Sequence, residues 1–270
     1  AFPICLATKD PDEIITAVKW IQPTFGGINL EDISSPKCFY VLDRLRKEME
    51  IPVWHDDQQG TATVMLAGLV NALKVAGKKL NQITLSLIGA GAANARTAYV
   101  LMKAGVKPGN IFITDSKGIL HTGRKELEGT YKWDLCLQTN SEGRMGDNAA
   151  AIEDTDVCFA LSTPGPGVIK KEWISKMNEK SIVFACANPI PEIWPWEARG
   201  AGAAVVATGR SDFPNQVNNS LGFPGIFRGT LDVRARTITD EMCFAAAQAL
   251  ADHVGNRLDE EYILPTMDDW

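Results

Sequence analysis

No apolar run in this 270-residue sequence approaches the roughly 20 residues that a membrane-spanning helix needs, so no membrane association is expected. Basic stripes are missing too. The 27 Lys and Arg residues are spread along a chain that carries 33 Asp and Glu and a net charge of -6. Without a patch to neutralise a phosphate backbone, nucleic acid is excluded as a partner. Histidine is scarce, and the cysteines (Cys5, Cys38, Cys136, Cys158, Cys186, Cys243) stand singly, with neither Cys-x-x-Cys spacing nor histidines at zinc-ligand distance. That excludes a zinc ribbon and a disulfide scaffold; we read them as reduced core thiols of a cytoplasmic protein. Neither a secretory leader nor an initiator Met opens the chain, and upstream residues are expected to have been removed or left out.

What is present is an ordinary 45% hydrophobic fraction, enough to bury the core of one large domain or two smaller ones. Asp10-Pro11-Asp12-Glu13 joins an N-cap residue, a proline at the first helical position and acidic residues, and Ile14, Val18 and Ile21 follow at helical spacing. This predicts a helix over 11–21. A glycine-started strand over 25–30, a helix from Ser35-Pro36 through Glu50 and a short strand over 51–54 come next. A long helix over 61–76, stopped by Gly77, is expected to connect two domains. Beyond it, apolar runs at 83–88, 111–114, 157–161, 182–186 and 203–207 alternate with helical segments, the pattern of strands buried on both faces of a parallel sheet. A last helix is expected over 240–254. Apart from Trp54, the tryptophans (Trp20, Trp133, Trp173, Trp194, Trp196, Trp270) read as packing residues.

Leu85-Ser86-Leu87-Ile88 runs straight into Gly89-Ala90-Gly91-Ala92-Ala93-Asn94 and a helix: strand, glycine-rich turn, helix. Gly89 permits the tight turn, Gly91 admits a pyrophosphate to the backbone, and the helix start offers free amides at Ala92 and Ala93. Asn94 replaces the third glycine and weakens the match, and a plain structural turn would use the same glycines. The next strand ends in Asp115, where a carboxylate would accept bonds from an adenosine ribose and repel a 2′-phosphate. NAD is therefore expected over NADP, although Lys117 could neutralise that phosphate.

Two acidic pairs follow predicted strands, Glu31-Asp32 and Asp56-Asp57. Carboxylates there suit an octahedral Mg²⁺ or Mn²⁺, which takes hard oxygen ligands and keeps positions for substrate and water. Neighbours on a strand point to opposite faces, so Glu31 and Asp32 can share an ion only if the strand ends between them. Spacing alone allows these acids equally to cap the helices that follow.

Phe25-Gly26-Gly27-Ile28-Asn29-Leu30-Glu31-Asp32, then His55-Asp56-Asp57-Gln58-Gln59-Gly60-Thr61-Ala62, then the dinucleotide loop, resemble bacterial-type malic enzymes in order and spacing. Ser162-Thr163-Pro164-Gly165, Ala187-Asn188-Pro189 and Gln216 to Gly225 extend the likeness over essentially the whole chain. The resemblance implies metal-dependent oxidative decarboxylation of malate to pyruvate with reduction of NAD or NADP. It implies that Glu31, Asp32 and Asp57 ligate Mg²⁺ or Mn²⁺ and that Asp56 tunes a catalytic lysine. Asn188, Asn218 and Asn219 would hold substrate carboxylate or nicotinamide amide, and Ser162 would lie against the cofactor; on residue chemistry alone these asparagines serve turns. His55 would be structural. A homodimer or larger assembly is implied.

In that family a lysine and a tyrosine move the protons, and both precede the segment matching Ala1 to Cys5. We expect the chain to lack that amino-terminal part and, alone, to bind dinucleotide but to turn over malate poorly or not at all. Three carboxylates around a divalent ion leave roughly one net negative charge, which repels a malate dianion unless cations are added. The expected architecture is α/β: a doubly wound, Rossmann-type parallel sheet over 78–236, the remainder of a substrate and metal domain over 1–60, a connecting helix over 61–77 and a terminal helix over 237–270 packing back. Malolactic conversion is the nearest rival activity, and a dinucleotide-binding module without activity the non-enzymatic one. An amino-acid dehydrogenase is disfavoured because its chemistry needs no paired carboxylates.

Overall fold

The computed structural model describes residues 1–269, and Trp270 lies outside the described residues. Asp10 accepts the N–H groups of Asp12 and Glu13 and caps α1 (Pro11–Ile21), with Pro11 where a missing donor costs nothing. The chain continues through β1 (Ile28–Leu30), α2 (Lys37–Glu48) and β2 (Val53–His55). The strands pair in parallel with Leu30 opposite His55. Ile14, Ile15 and Val18 of α1 and Val41, Leu42 and Leu45 of α2 cover them and form a separate apolar core with Ile28, Leu30 and Val53. A π-helical turn, Asp56–Gly60, then enters α3 (Thr61–Ala76), which ends on Gly77 at φ +69°.

The remaining elements are β3 (Leu85–Ile88), α4 (Ala92–Ala104), β4 (Ile111–Asp115), β5 (Gly118–Ile119), α5 (Tyr131–Gln138), α6 (Asn148–Ile152), β6 (Val157–Ala160), α7 (Lys171–Ile174), β7 (Ile182–Ala185), α8 (Pro195–Gly200), β8 (Val205–Thr208), α9 (Phe223–Asp232) and α10 (Asp240–Val254). Six strands form one sheet in the order β5-β4-β3-β6-β7-β8. All neighbours are parallel except β5, which runs antiparallel to β4. Alternate residues of each strand enter different cores: Leu87, Ile113, Phe159 and Phe184 pack towards α3 and α4, whereas Phe112, Cys158 and Val183 pack towards α6 and α7. Burial on both faces is why these strands read as continuous apolar runs. After β5 the chain returns to the far side of β3 to lay down β6. The carboxyl ends of β3 and β6 therefore flank the point where strand order reverses, the place where such sheets bind ligands.

α3 is more than a connector. Its Val64, Met65, Leu69 and Leu73 share one core with β3, β6 and β7. Its buried Asn71 donates to the carbonyls of Ala251 (2.8 Å) and Ile263 (2.9 Å), pinning the end of α10 and the segment beyond. Asn71→Leu leaves both carbonyls unpaired and is expected to lower stability by about 2–4 kcal/mol in urea unfolding; a loss below about 0.5 kcal/mol would contradict this account.

Several sequence expectations need correction. Cys5 is exposed, and the other five thiols are buried. Trp20 (78%) and Trp196 (58%) are too exposed to be packing residues; Trp196 instead stacks on Trp194 at 4.9 Å at the surface. The antiparallel β5 and helix α9 were not anticipated. Among the described residues no helix is long and apolar enough to cross a membrane.

Candidate functional site

The turn after β3 brings two loops together. Gly89 takes φ +97°, and a Cβ there would sit 2.9 Å from the Leu161 carbonyl oxygen and 3.0 Å from the Ser162 Cβ, so the loop after β6 rests directly on it. Gly91 differs: its backbone is ordinary (φ −84°) and nothing lies within 4 Å of where its Cβ would point. It faces open cavity, as a residue over which an anion must pass should. No side chain caps α4, leaving the first-turn amides free beside Ala92 and Ala93, which line the same cavity. Asn94 is fully buried beneath the loop, its amide donating to the Ile88 and Gly89 carbonyls at 2.9 Å each. It ties helix to strand in place of the close contact a glycine would allow.

β1 ends at Leu30, one residue before the point the shared-ion argument required, so neither Glu31 nor Asp32 obeys strand alternation. Asp32 turns the chain at φ +56°, and its N–H donates to Asp57 Oδ2 at 3.0 Å. Because β1 and β2 are paired in register, both acidic segments leave the small sheet side by side. Glu31, Asp32 and Asp57 line one cavity of about 610 Å³ together with Gly91, Ala92, Ala93, Asn188, Asn218 and Asn219. Burial pushes the Glu31 carboxyl up to about 7 against the lowering effect of its bond from Asn29 (2.7 Å), and Asp57, Asp56 and Asp32 push the same way, with no cation among the acting groups.

These are hard oxygens short of positive charge, and in donor chemistry they fit a divalent ion such as Mg²⁺ or Mn²⁺. Among the described residues no three metal-binding side chains are already closed on one point. Glu31 is held by Asn29 and Asp57 by the Asp32 N–H, so an ion would have to draw both away.

Asp56 points inward. It accepts Trp54 Nε1 at 3.2 Å and Asn219 Nδ2 at 2.7 Å, and burial raises its carboxyl pKa. A Cβ on Gly60 would lie 1.9 Å from Asp56 Oδ1, which is why the π-helical turn needs glycine there. His55 is fully buried, and burial lowers its pKa and keeps it neutral against the raising effect of Asp57, 3.8 Å away, and of the Ile33 backbone. Asn218 Oδ1 accepts the Ser220 N–H and Oγ–H at 2.9 and 2.6 Å, so part of it does serve turn geometry, while Asn188 stays exposed on the cavity wall.

Asp115 ends β4 as expected, but its carboxylate is already engaged. Oδ1 accepts Arg124 Nη1 (2.7 Å) and the Lys117 N–H (2.9 Å); Oδ2 accepts Lys132 Nζ (2.7 Å) and Arg124 Nη2 (3.2 Å). Four donors use roughly the full accepting capacity of a carboxylate. Burial raises its pKa, yet these bonds outweigh burial and leave it at about 2. With Lys117, His121, Arg124 and Trp173 it lines a second cavity of about 480 Å³.

The family profile described as malic enzyme, NAD binding domain matches residues 58–270, and that of the malic enzyme N-terminal domain matches residues 7–46. The chain belongs to the malic enzyme family. It is 49% identical to the bifunctional malic/malolactic enzyme of Bacillus subtilis over 98% of its length, and 51% identical to the NAD-dependent malic enzyme of Geobacillus stearothermophilus over 99%. It spans 64% and 55% of those two proteins. The crystal structure of malic enzyme from Pyrococcus horikoshii superposes with a TM-score of 0.95 at 57% identity, covering 98% of this chain and 62% of that one. The NAD-dependent malic enzyme of Thermotoga maritima superposes at 0.93 and 46% identity, covering 100% of this chain and 70% of that one.

Sequence reasoning missed one buried acid behind this cavity. Glu192 is fully buried next to Ser162, whose N–H and Oγ–H donate to its Oε1 at 2.8 and 3.2 Å. The available signal was a lone acid in the apolar stretch from Pro189 to Trp196.

Proposed function

We propose that this malic enzyme chain binds NAD or NADP across the β3–β6 switch point and a divalent ion at Glu31, Asp32 and Asp57, and that it serves the oxidative decarboxylation of malate to pyruvate and CO₂. The observation that carries this reading is the shared cavity: the acidic ends of the small sheet and the uncapped start of α4 face the same space. A nicotinamide held here would supply the hydride acceptor for malate C2, so substrate and cofactor must share one enclosure. A divalent ion supplies Lewis acidity towards the malate hydroxyl and carboxylate.

The chain's own residues bind and orient. The amides of Ala92 and Ala93 receive the pyrophosphate, Asn188 and Asn218 hold an amide or carboxylate, and Asp56 fixes the position of Asn219. The reaction also needs a general base and a general acid. Among the described residues lining the cavity none is Lys, Arg or Tyr, and its carboxylates are the ones assigned to the ion, so the lysine and tyrosine that the resemblance assigns to proton transfer are not supplied by this lining. A cytoplasmic homodimer or larger assembly follows the family resemblance, and light scattering tests the assembly. Because Arg124 and Lys132 neutralise Asp115, discrimination against a 2′-phosphate is weak, and the dissociation constants of NADH and NADPH are expected to lie within about tenfold of each other.

The test is NADH fluorescence titration and Mn²⁺ calorimetry on the 270-residue chain, with malate-dependent NAD reduction and product identification measured once the residues that supply the proton carriers are joined to it. NADH binding, with Mn²⁺ affinity reduced about 100-fold by Asp57→Asn, supports the reading. Pyruvate as product separates it from lactate, the product of the malolactic alternative that the name of the Bacillus subtilis relative supports. Absence of NADH binding, with Mn²⁺ affinity indifferent to Asp57→Asn, sinks it.

A further inference from the structure

We infer that Glu192 is a positioning residue for the nicotinamide half of the cofactor: its buried carboxylate fastens the loop after β6 to the loop after β7 and so sets Ser162 against the dinucleotide turn and Asn188 against the cavity. The inference rests on the dinucleotide reading above. Glu192 is fully buried, and an ionised carboxylate there is costly unless its oxygens are satisfied. Oε1 accepts the Ser162 N–H and hydroxyl, and Oε2 accepts the Ala187 N–H at 3.1 Å. Burial raises its pKa, the N–H groups of Ser162 and Ala187 oppose that rise, and no cation takes part. Its main-chain carbonyl accepts the N–H groups of Gly167 and Ile169, both at 3.1 Å, and Gly165 N–H is bonded to the neighbouring Ile190 carbonyl. One residue therefore closes two loops on each other with both its side chain and its backbone.

These loops have a defined place. Ser162 Cβ lies 3.0 Å from where a Gly89 Cβ would be, so Glu192 stands one residue removed from the dinucleotide turn. On the other side Ala187 leads directly to Asn188 on the cavity wall. The β4 side of the switch point, where Asp115 stands, takes the adenosine half of a dinucleotide; the β6 and β7 side is left for the nicotinamide half. Glu192 does not line the cavity and acts only through its two neighbours.

Glu192→Gln keeps size and removes accepting capacity, because the amide cannot accept from both loops at once. The decisive comparison is NADH against ADP-ribose, which lacks the nicotinamide. NADH is expected to weaken about tenfold while ADP-ribose stays within about twofold of wild type. A purely structural role would weaken both equally or neither, and either result overturns the inference. If Glu192→Gln does not fold, Glu192→Asp, whose shorter arm cannot span both loops, must give the same split; if neither variant folds, Glu192 is a folding determinant and the positioning role is overturned. Failure of the wild-type chain to bind either ligand refutes the dinucleotide reading itself and this inference with it.

Discussion

Gly91→Ala is expected to leave the stability of the chain within about 1 kcal/mol of wild type while weakening NADH by about 30- to 100-fold. The folding side is a near cancellation. Gly91 is the N-cap of α4, where alanine is inferior to glycine by several tenths of a kcal/mol or more. Alanine also restricts the unfolded chain, which stabilises the fold by about 0.4–1 kcal/mol wherever the backbone accepts a side chain, and φ −84° does. The binding side has no such offset. The new methyl enters open space on the cavity wall, where a pyrophosphate must approach the main chain, and loss of about 2–3 kcal/mol corresponds to the stated fold-change. Gly89→Ala is the contrast, because φ +97° and a Cβ 2.9 Å from the Leu161 oxygen make it damage fold and binding together. Unchanged NADH affinity in Gly91→Ala, with the fold intact, would mean that no anion sits at the start of α4.

The contrast between these glycines shows what a sequence can reveal. Their positions in the strand–turn–helix motif were legible, as were α1, α3 and α10, because caps, stop residues and apolar spacing act over a few neighbours. β5 was not: two residues carry no periodicity, and it exists because the chain doubles back antiparallel along β4. The π-helical turn at Asp56–Gly60 was not either, since the close approach of Asp56 to Gly60 that it contains is a steric relation that propensity does not encode.

The site divides in the same way. Strand ends predicted where Glu31, Asp32 and Asp57 would emerge, because parallel strands deliver their carboxyl ends to one side. What each polar atom bonds to was hidden, since partners are chosen by packing across long stretches of chain. Asp56 meets Asn219, 163 residues on, and Ser162 meets Glu192, 30 residues on. Asn94 looked like a weakness in the glycine pattern, yet its amide satisfies two carbonyls of the turn.

Asp115 is where hidden partners change the functional expectation most. Read as a free carboxylate it accepts a ribose and repels a 2′-phosphate. Bound to Arg124 and Lys132 it is outnumbered by cations, and with its pKa near 2 it stays ionised throughout the neutral range. A group whose pKa is lowered by folding contributes stability above its ordinary pKa near 3.8 and loses it as pH falls towards 2, so Asp115 adds no pH dependence to binding between pH 6 and 9. Asp115→Ala releases both cations. Each charge-assisted bond from Arg124 or Lys132 to a phosphate is worth about 1.5–3 kcal/mol, part of which goes to ordering the freed side chains. NADPH is expected to tighten about 10- to 30-fold and NADH to weaken a few-fold, shifting the preference towards NADP by about 100-fold. The gain should shrink with added salt and disappear in the Asp115→Ala, Arg124→Ala double variant, since Lys132 alone offers no paired donors. If Asp115→Ala binds NADPH no better than wild type, Arg124 and Lys132 do not face the 2′ position, and the second cavity is not the adenosine end of the site.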